Sequence, residues 1–259
     1  MASSPKDLAV SGRTPVRADL EQLQGLDLQA SYQSARTGGD FFDAVALASR
    51  VVILLSDIAG RLSETAPIAA EVQHTFRNRS REFFSTPDGN ESEALARLAH
   101  AVNDTLVETS HGVRFAPTFL GCYNLPLSIL TYINSGGQTA VFRDGDGTRI
   151  LESADMPLGL FTHMTYEPSM QAFDPGARLV IVTKGVIESR RGRSEFGVER
   201  VRRLIQDSKA ESAAELCRET LKAADGFGQE RWPRVQNLLS GGSDGKEDLT
   251  VVALIRPTS

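Results

Sequence analysis

The stretch VVILLSDIAG, residues 51–60, decides the fold class and contains the first candidate for chemistry. Its first five residues are apolar and partly β-branched, which is typical of a short strand that is buried on both faces. The run ends near Asp57, and the small residues Ala59 and Gly60 follow. A carboxylate at the end of a buried strand is a candidate ligand for a hard cation, and an ordinary turn residue is the alternative.

Upstream of this stretch, the sequence predicts two more strands. Leu28, Ala30 and Tyr32 alternate with polar residues, and GGDFFD, residues 38–43, follows as a turn that leads into the second strand. Residues 1–22 are polar, contain two prolines and show no periodicity. We therefore expect a flexible tail or linker there, and one domain over residues 23–259.

Downstream, apolar residues at helical spacing predict two long helices, at about 63–84 and 91–109, which form an antiparallel hairpin. Further strands are predicted at residues 119–123, 130–133, 140–143, 149–151, 179–182 and 249–255, with helix in two pieces between 198 and about 225. Most of these strands follow one another through short links. This order favours antiparallel sheets with helices packed outside, an α+β sandwich.

Composition and charge exclude several classes of function. Hydrophobic residues make up 41% and charged residues 24%, as in a globular protein, and the net charge of −5 gives no attraction to nucleic acid or to an anionic membrane. No apolar run approaches the roughly 20 residues that span a bilayer, and the start of the chain lacks a signal-peptide core. Cys122 and Cys217 have no metal-site or redox-motif spacing. We therefore expect a cytoplasmic protein with reduced thiols and without a nucleic-acid or membrane partner.

Acidic residues stand at three predicted strand ends, beside glycine or other small residues. Asp40 follows Gly39, Asp57 follows the buried strand, and Glu247 and Asp248 precede the last strand. Carboxylates that gather at strand ends repel one another unless a cation lies among them, and Mg²⁺ and Mn²⁺ prefer oxygen ligands. Taken singly, each acid is more typical of a turn residue or a cap, and it is the order and spacing of the acids that favour a metal site.

Four segments, in their order along the chain, resemble the signatures of one family. They are GGDFFD at 38–43, SDIAG at 56–60, the region that runs from PLG at 157–159 to EFGVER at 195–200, and EDLTVV at 247–252. Together they cover about residues 26–256. The chain thereby resembles the metal-dependent (PPM-type) protein phosphatase domain of the bacterial stage II sporulation protein E family.

The resemblance implies a fold, an activity and a cofactor. The fold is a pair of antiparallel sheets stacked face to face and flanked by helices. The activity is hydrolysis of phosphoserine or phosphothreonine on proteins, with two Mn²⁺ or Mg²⁺ ions that activate a bridging water and no covalent enzyme intermediate. The expected substrate is a phosphorylated bacterial regulatory protein, often the anti-sigma-factor antagonist of a partner-switching pathway.

The same resemblance implies the site residues. Asp57 would bridge the two metals and take part in catalysis through the metal-bound water, and the backbone carbonyl of Ile58 would be a further ligand. Asp40 would bind the second metal directly or through water. Glu247 occupies the place of the last acidic ligand, and Asp248 completes that acidic pair.

The chain departs from the family pattern at the implied metal centre. Lys184 stands where the pattern has an aspartate, and an ammonium repels a cation instead of binding it. Glu247 replaces an aspartate, Leu62 replaces a glycine, and Gly136 and Gly137 stand where a glycine–histidine pair is expected. We therefore predict weak or single-site Mn²⁺ binding, with loss of both metals as the alternative.

Lys184 has two interpretations, and so does the function. Its ammonium is either solvated at a strand end or a fixed counter-cation for Asp57 and Glu247. We expect the strands that end at Asp57 and Lys184 to lie side by side, which would bring both residues into one cleft with Asp40 and Glu247. The chain is then either an active Mg²⁺- or Mn²⁺-dependent phosphatase or an inactive pseudophosphatase that binds proteins. The sequence leaves open whether it forms a homodimer or binds a regulatory partner.

Overall fold

The computed structural model describes residues 25–33, 39–86, 89–153, 155–229 and 248–258. The predicted tail at 1–22, Gly38 and Glu247 lie outside these ranges. The strands are β1 Asp27–Gln33, β2 Asp40–Leu47, β3 Arg50–Asp57, β4 Thr118–Asn124, β5 Ile129–Ser135, β6 Thr139–Asp144, β7 Gly147–Leu151, β8 Ser169–Ala172, β9 Arg178–Val182, β10 Arg190–Arg191, β11 Ser194–Glu195 and β12 Leu249–Ile255. The helices are α1 Leu62–Phe83, α2 Glu91–Ser110, α3 Lys184–Ile187, α4 Val198–Asp207 and α5 Ala213–Gln229.

One of two compact units contains residues 41–137 and 153–172. Its sheet has the strand order β2-β3-β4-β5-β8, and β3 with β4, β4 with β5 and β5 with β8 pair antiparallel. The hairpin of α1 and α2 packs on this sheet. Apolar residues at helical spacing, such as Val72 and Phe76 on α1 and Leu98 on α2, share a core with Val52 and Leu54 of β3. The burial of this apolar stripe stabilises both helices against the sheet.

The other unit contains the described residues from 25 to 40, 138 to 152 and 173 to 258. Its antiparallel sheet has the order β1-β12-β9-β6-β7. Helices α4 and α5 cover it, since Ile205 of α4 and Leu216 of α5 share a core with Val180 of β9 and Val251 of β12. Strands β10 and β11 form a separate short hairpin in this unit.

The structure confirms the predicted α+β class, with two antiparallel sheets and helices packed on each. It also confirms the helical hairpin, the strand pair around residues 144–147 and the division between α4 and α5. The expectation that the strands ending at Asp57 and Lys184 are neighbours is wrong. Strand β3 lies between β2 and β4, whereas β9 lies in the other sheet between β12 and β6. Both strands have a buried, apolar sequence, and such a sequence does not specify which sheet a strand joins.

None of the helices in the described ranges combines the length and the apolar character needed to cross a membrane.

Candidate metal centre

Asp57 ends β3 in the unit of residues 41–137 and 153–172. Its backbone N–H donates to the carbonyl of Pro117 at 3.0 Å, and the N–H of Ala59 donates to the carbonyl of Phe115 at 3.2 Å. The Asp57 side chain is half-buried, and the Ile58 side chain is buried in the core. The chain therefore leaves β3 in a fixed conformation, with one carboxylate partly open to solvent.

Arg114 also holds the connection between β3 and α1. Its Nη1 donates to the carbonyl oxygen of Ala59 at 2.9 Å, and its Nη2 donates to Oε2 of Glu64 at 2.8 Å. The backbone N–H of Arg61 also donates to this carboxylate at 3.3 Å. The Arg61 amide and the Arg114 guanidinium together lower the pKa of Glu64 below its usual value.

The glycine of this connection has a structural reason. Gly60 has a φ of +147°, and a Cβ there would lie 2.5 Å from Nη1 of Arg114. Leu62, by contrast, is the first residue of α1, where any residue with helical dihedral angles is accommodated. Loss of the second family glycine at Leu62 therefore leaves the backbone without strain.

In the other unit, Asp40 accepts two short hydrogen bonds on one carboxylate oxygen. The hydroxyls of Thr183 and Thr250 each donate to its Oδ2 at 2.6 Å. The backbone N–H of Thr250 donates to Oγ1 of Thr183 at 3.2 Å, so the two threonines are joined to each other as well. Asp40 is half-buried, whereas both threonines are buried. The carboxylate is therefore held in one orientation by groups on β12 and at the end of β9.

Lys184 follows Thr183 directly and begins the four-residue helix α3. Its backbone is thus beside the hydrogen-bonded group of Asp40, but its ammonium lies 3.4 Å from Oε1 of Glu188, one turn later in the chain. The Lys184 side chain is 59% exposed. This geometry fits the interpretation of a solvated lysine at a strand end.

Asp248 is buried just before β12, and the hydroxyl of Tyr32 on β1 donates to its Oδ2 at 2.9 Å. Its acidic neighbour Glu247 lies outside the described residues. Asp248 therefore has a clear role in joining β1 to the start of β12. Its role as a metal ligand stays a prediction.

The predicted site residues are divided between the two units: Asp57 and Ile58 belong to one, and Asp40, Lys184 and Asp248 to the other. Over the ranges that the structure describes, no three His, Cys, Asp or Glu side chains are grouped so that they could hold a metal ion. Asp40 and Asp57 each place a carboxylate at the end of a hydrogen-bonded strand, and Mg²⁺ and Mn²⁺ prefer such oxygen ligands.

Sequence reasoning missed Thr183, Thr250, Tyr32 and Arg114 as supporting residues. Thr183 and Thr250 carried a usable signal, because each is a polar residue at one end of an apolar strand, Thr183 next to Lys184 and Thr250 two residues after Asp248. Arg114 carried none, since its partners Ala59 and Glu64 are 55 and 50 residues away in sequence.

Comparison with known proteins gives a family match over most of the chain. The family model described as stage II sporulation protein E (SpoIIE) matches residues 48–256. Protein IcfG of Synechocystis sp. is 26% identical over 201 residues, which is 68% of this chain and 31% of that protein. The chain thus spans about a third of the length of this relative.

Solved structures share the fold at low sequence identity. The RsbU and RsbW domains of Rv1364c from Mycobacterium tuberculosis are 23% identical with a TM-score of 0.68, and the match covers 90% of this chain and 60% of that one. The catalytic domain of the serine/threonine protein phosphatase PstP, in complex with two manganese ions, is 14% identical with a TM-score of 0.59 over 89% of this chain and 98% of that one. At these identities, the similarity shows the fold alone.

Proposed function

The chain belongs to the stage II sporulation protein E family, and we propose that it is a Mn²⁺- or Mg²⁺-dependent phosphatase domain that hydrolyses phosphoserine or phosphothreonine on a bacterial regulatory protein. The observation that carries the proposal is the family match over residues 48–256, which includes Asp57 and the acidic pair before β12. The manganese ions in the structure of PstP support the choice of cofactor. The specific substrate that we propose is a phosphorylated anti-sigma-factor antagonist.

The chemistry of the donor set fits a divalent cation. Asp40 and Asp57 supply carboxylate oxygens, and hard cations prefer such ligands. Strands β2 and β3 are neighbours in one sheet and are linked by only two residues, which favours an antiparallel hairpin. Asp40 opens β2 and Asp57 closes β3. Their assignment to one ligand set rests on the resemblance to the family.

The proposed site holds fewer ligands than the family pattern implies, because Lys184 provides no acceptor. We therefore propose one weak metal site, with Asp57, the Ile58 carbonyl, Asp40 and Glu247 as its ligands. A divalent cation, when bound there, would lower the pKa of water and offset the charge of the phosphoryl oxygens. The residues of the chain would orient that cation: Thr183 and Thr250 fix Asp40, and the hydrogen bonds of the β3–α1 connection fix the backbone beside Asp57.

A second function has one observation in its favour, the lysine at position 184. A pseudophosphatase would keep the fold and a protein-binding surface but would have no turnover. The two functions differ in whether the site, once supplied with metal, hydrolyses a phosphate ester.

The test is hydrolysis of p-nitrophenyl phosphate and of a phosphoserine peptide, measured across a Mn²⁺ series and in EDTA, by the parent and by Asp57→Asn. The variant keeps the shape of the side chain but removes its charge. We expect a rate that depends on Mn²⁺ and falls by about 100-fold in the variant, which corresponds to roughly 2.7 kcal/mol of transition-state stabilisation. A parent that binds Mn²⁺ but hydrolyses neither substrate would contradict the phosphatase and support the pseudophosphatase.

A further inference from the structure

A short segment of the chain is basic although the whole chain is acidic. Residues 184–203 contain seven Lys and Arg against three Glu, a net charge of +4, in a protein whose net charge is −5. The segment forms α3, the hairpin of β10 and β11, and the first turns of α4. Its three glutamates each form an ion pair inside the segment: Glu188 with Lys184, Glu195 with Arg190 and Glu199 with Arg202.

Two arginines of this segment share one aromatic ring. The guanidinium carbons of Arg191 and Arg200 lie 4.9 and 4.8 Å from the centroid of Phe227 on α5. Phe227 in turn packs edge-on against Phe196, with 5.6 Å between the ring centroids. Nη1 of Arg200 also donates to the carbonyls of Glu195 and Phe196, at 2.8 Å each. The ring and the hairpin therefore hold cationic side chains in place instead of leaving them to move freely.

We define the arginine face as the hairpin Arg190–Glu195, Arg200, the Phe227 ring that contacts Arg191 and Arg200, and Arg203, which follows Arg200 at i+3 on α4. Arg193 at the hairpin tip and Arg203 on α4 are both exposed. A guanidinium carries five N–H donors, so one that lies over a ring can still donate to a carboxylate or a phosphate through the donors that are not already used. The face thus combines positive charge, pre-ordered side chains and donor groups of suitable geometry.

We propose that the arginine face binds an acidic segment of the phosphorylated partner protein. The identity of the partner as the substrate rests on the proposed function, whereas the acidic chemistry of the bound segment rests on the face alone. Charge complementarity supports this proposal. The net charge of +4 over residues 184–203 attracts an anionic segment, whereas the rest of the chain is net negative and does not.

A protein segment fits this face better than a nucleic acid does. A nucleic acid binds along an extended basic surface, often with several aromatic rings for its bases. Here the basic segment comprises α3, one hairpin and the start of one helix, and the ring that contacts its arginines, Phe227, packs against Phe196. A short acidic peptide needs only such a local site.

The test is fluorescence anisotropy on the whole chain with two labelled phosphoserine peptides of equal length. In one peptide the phosphoserine is flanked by glutamates, and in the other by glutamines. EDTA is present, so that neither peptide is hydrolysed. We expect the glutamate peptide to bind about tenfold more tightly at low ionic strength, equivalent to about 1.4 kcal/mol, and the preference to decrease as salt is added.

Arg193→Glu and Arg203→Glu are the test variants, and Arg218→Glu is the matched control. Arg218 is a 69% exposed arginine on α5, and its Nη2 lies 3.8 Å from Oε1 of Glu215. Arg218→Glu changes the net charge by the same amount as the test variants, but outside the arginine face. Each test variant should lose most of the preference for the glutamate peptide, and the control should keep it. A thermal melt of each variant confirms that it folds.

Three results would overturn the proposal. They are equal binding of the two peptides by the parent, an equal loss in the Arg218→Glu control, and tighter binding of a single-stranded oligonucleotide than of the glutamate peptide. The outcome is independent of the proposed function, because binding is measured without turnover. A chain that prefers the acidic peptide but hydrolyses nothing contradicts the phosphatase alone, and a chain that hydrolyses without this preference contradicts the arginine face alone.

Discussion

At the level of single residues, Asp40 and Lys184 differ in how firmly their side chains are held. The two threonine hydroxyls on Oδ2 of Asp40 are held at 2.6 Å, so this carboxylate is oriented before any ligand binds. Hydrogen bonds to a charged acceptor contribute more than those between neutral groups, roughly 1.5–3 kcal/mol each. Asp40 is thus a rigid part of the unit, whether or not it binds a cation.

Lys184 differs from Asp40 because little holds its charged end. The pair with Glu188 is a surface ion pair, for which about 0–1 kcal/mol is typical. Its ammonium can therefore change direction at low cost, although its backbone is fixed next to Thr183. This combination makes position 184 suitable for substitution, since a new side chain is not constrained by packing.

At the scale of elements, the β3–α1 connection depends on Arg114. The guanidinium joins the carbonyl of Ala59 to the carboxylate of Glu64 at the start of α1. The backbone carbonyls of Phe115 and Pro117 accept from the N–H groups of Ala59 and Asp57. Removal of this side chain leaves the Ala59 carbonyl without its described donor.

We predict that Arg114→Ala lowers the free energy of unfolding by about 1–3 kcal/mol, the usual range when a hydrogen-bonded group such as the Ala59 carbonyl loses its partner. The variant should also bind Mn²⁺ more weakly, because the backbone after Asp57 is less fixed. Urea unfolding measures the first effect, and calorimetric titration with Mn²⁺ measures the second.

The matched control for this prediction is Arg79→Ala. Arg79 forms an exposed pair with Glu82 on α1, and we expect its loss to change the free energy of unfolding by less than about 0.5 kcal/mol. If Arg114→Ala behaves like Arg79→Ala in both measurements, the guanidinium does not hold the connection.

Long elements could be predicted from the sequence, and short ones could not. Helices α1 and α2 carry a strong apolar period over about 20 residues each, and β12 is an apolar run between turn residues. Strand β8 has only four residues, most of them exposed, and α3, β10 and β11 are as short or shorter. Such elements form because neighbouring segments pair with them, and a single sequence does not contain that information.

The same limit applies to the candidate site. The acids could be found at strand ends because their signal is local. The hydrogen bonds of Asp40 could not, because Thr183 and Thr250 are 143 and 210 residues away from it in sequence. The sequence also did not predict that β3 and β9 lie in different sheets, because strand pairing depends on residues that are far apart in the chain.

At the scale of the whole molecule, each unit has its own buried core and its own buried cysteine. Cys122 lies in the core of the α1–α2 unit, and Cys217 lies in the core of the other, where its Sγ–H donates to the carbonyls of Gln29 and Val251. Burial raises the pKa of Cys217 to about 12 and raises the pKa of Cys122 well above its usual value. Both thiols are thus neutral and protected in the folded chain.

We predict that neither cysteine reacts with iodoacetamide at neutral pH until its own unit opens. Alkylation across a urea series, followed by mass spectrometry of the peptides, reports the opening of the two units separately. The free energy of unfolding should also depend on pH, because folding raises the pKa of both thiols. Their contribution to it is fully present below the pKa of about 8.5 that a thiol has in the unfolded chain, and it is lost as the pH rises toward the pKa values of the folded chain. Rapid labelling of either thiol in the native chain at pH 7 would contradict the burial.

We propose that this chain has a phosphatase metal centre in which Lys184 takes the place of a ligand. Lys184→Asp changes the local charge by two units, since it removes an ammonium and adds a carboxylate. Lys184→Ala removes the charge without adding a ligand, and Lys209→Asp makes the same change at an exposed lysine on the surface. These three variants separate the effect of a restored ligand from those of local and overall charge.

The measurement is the rate of phosphate ester hydrolysis by the parent and the three variants across a Mn²⁺ series. We predict that Lys184→Asp requires less Mn²⁺ and hydrolyses the ester about tenfold faster than the parent, which corresponds to about 1.4 kcal/mol of added transition-state stabilisation. Lys184→Ala should gain less, and Lys209→Asp should equal the parent. A parent that is faster than Lys184→Asp would contradict the assignment of Lys184 to a ligand position. Equal rates for the parent and Lys184→Asp that do not depend on Mn²⁺ would contradict it as well.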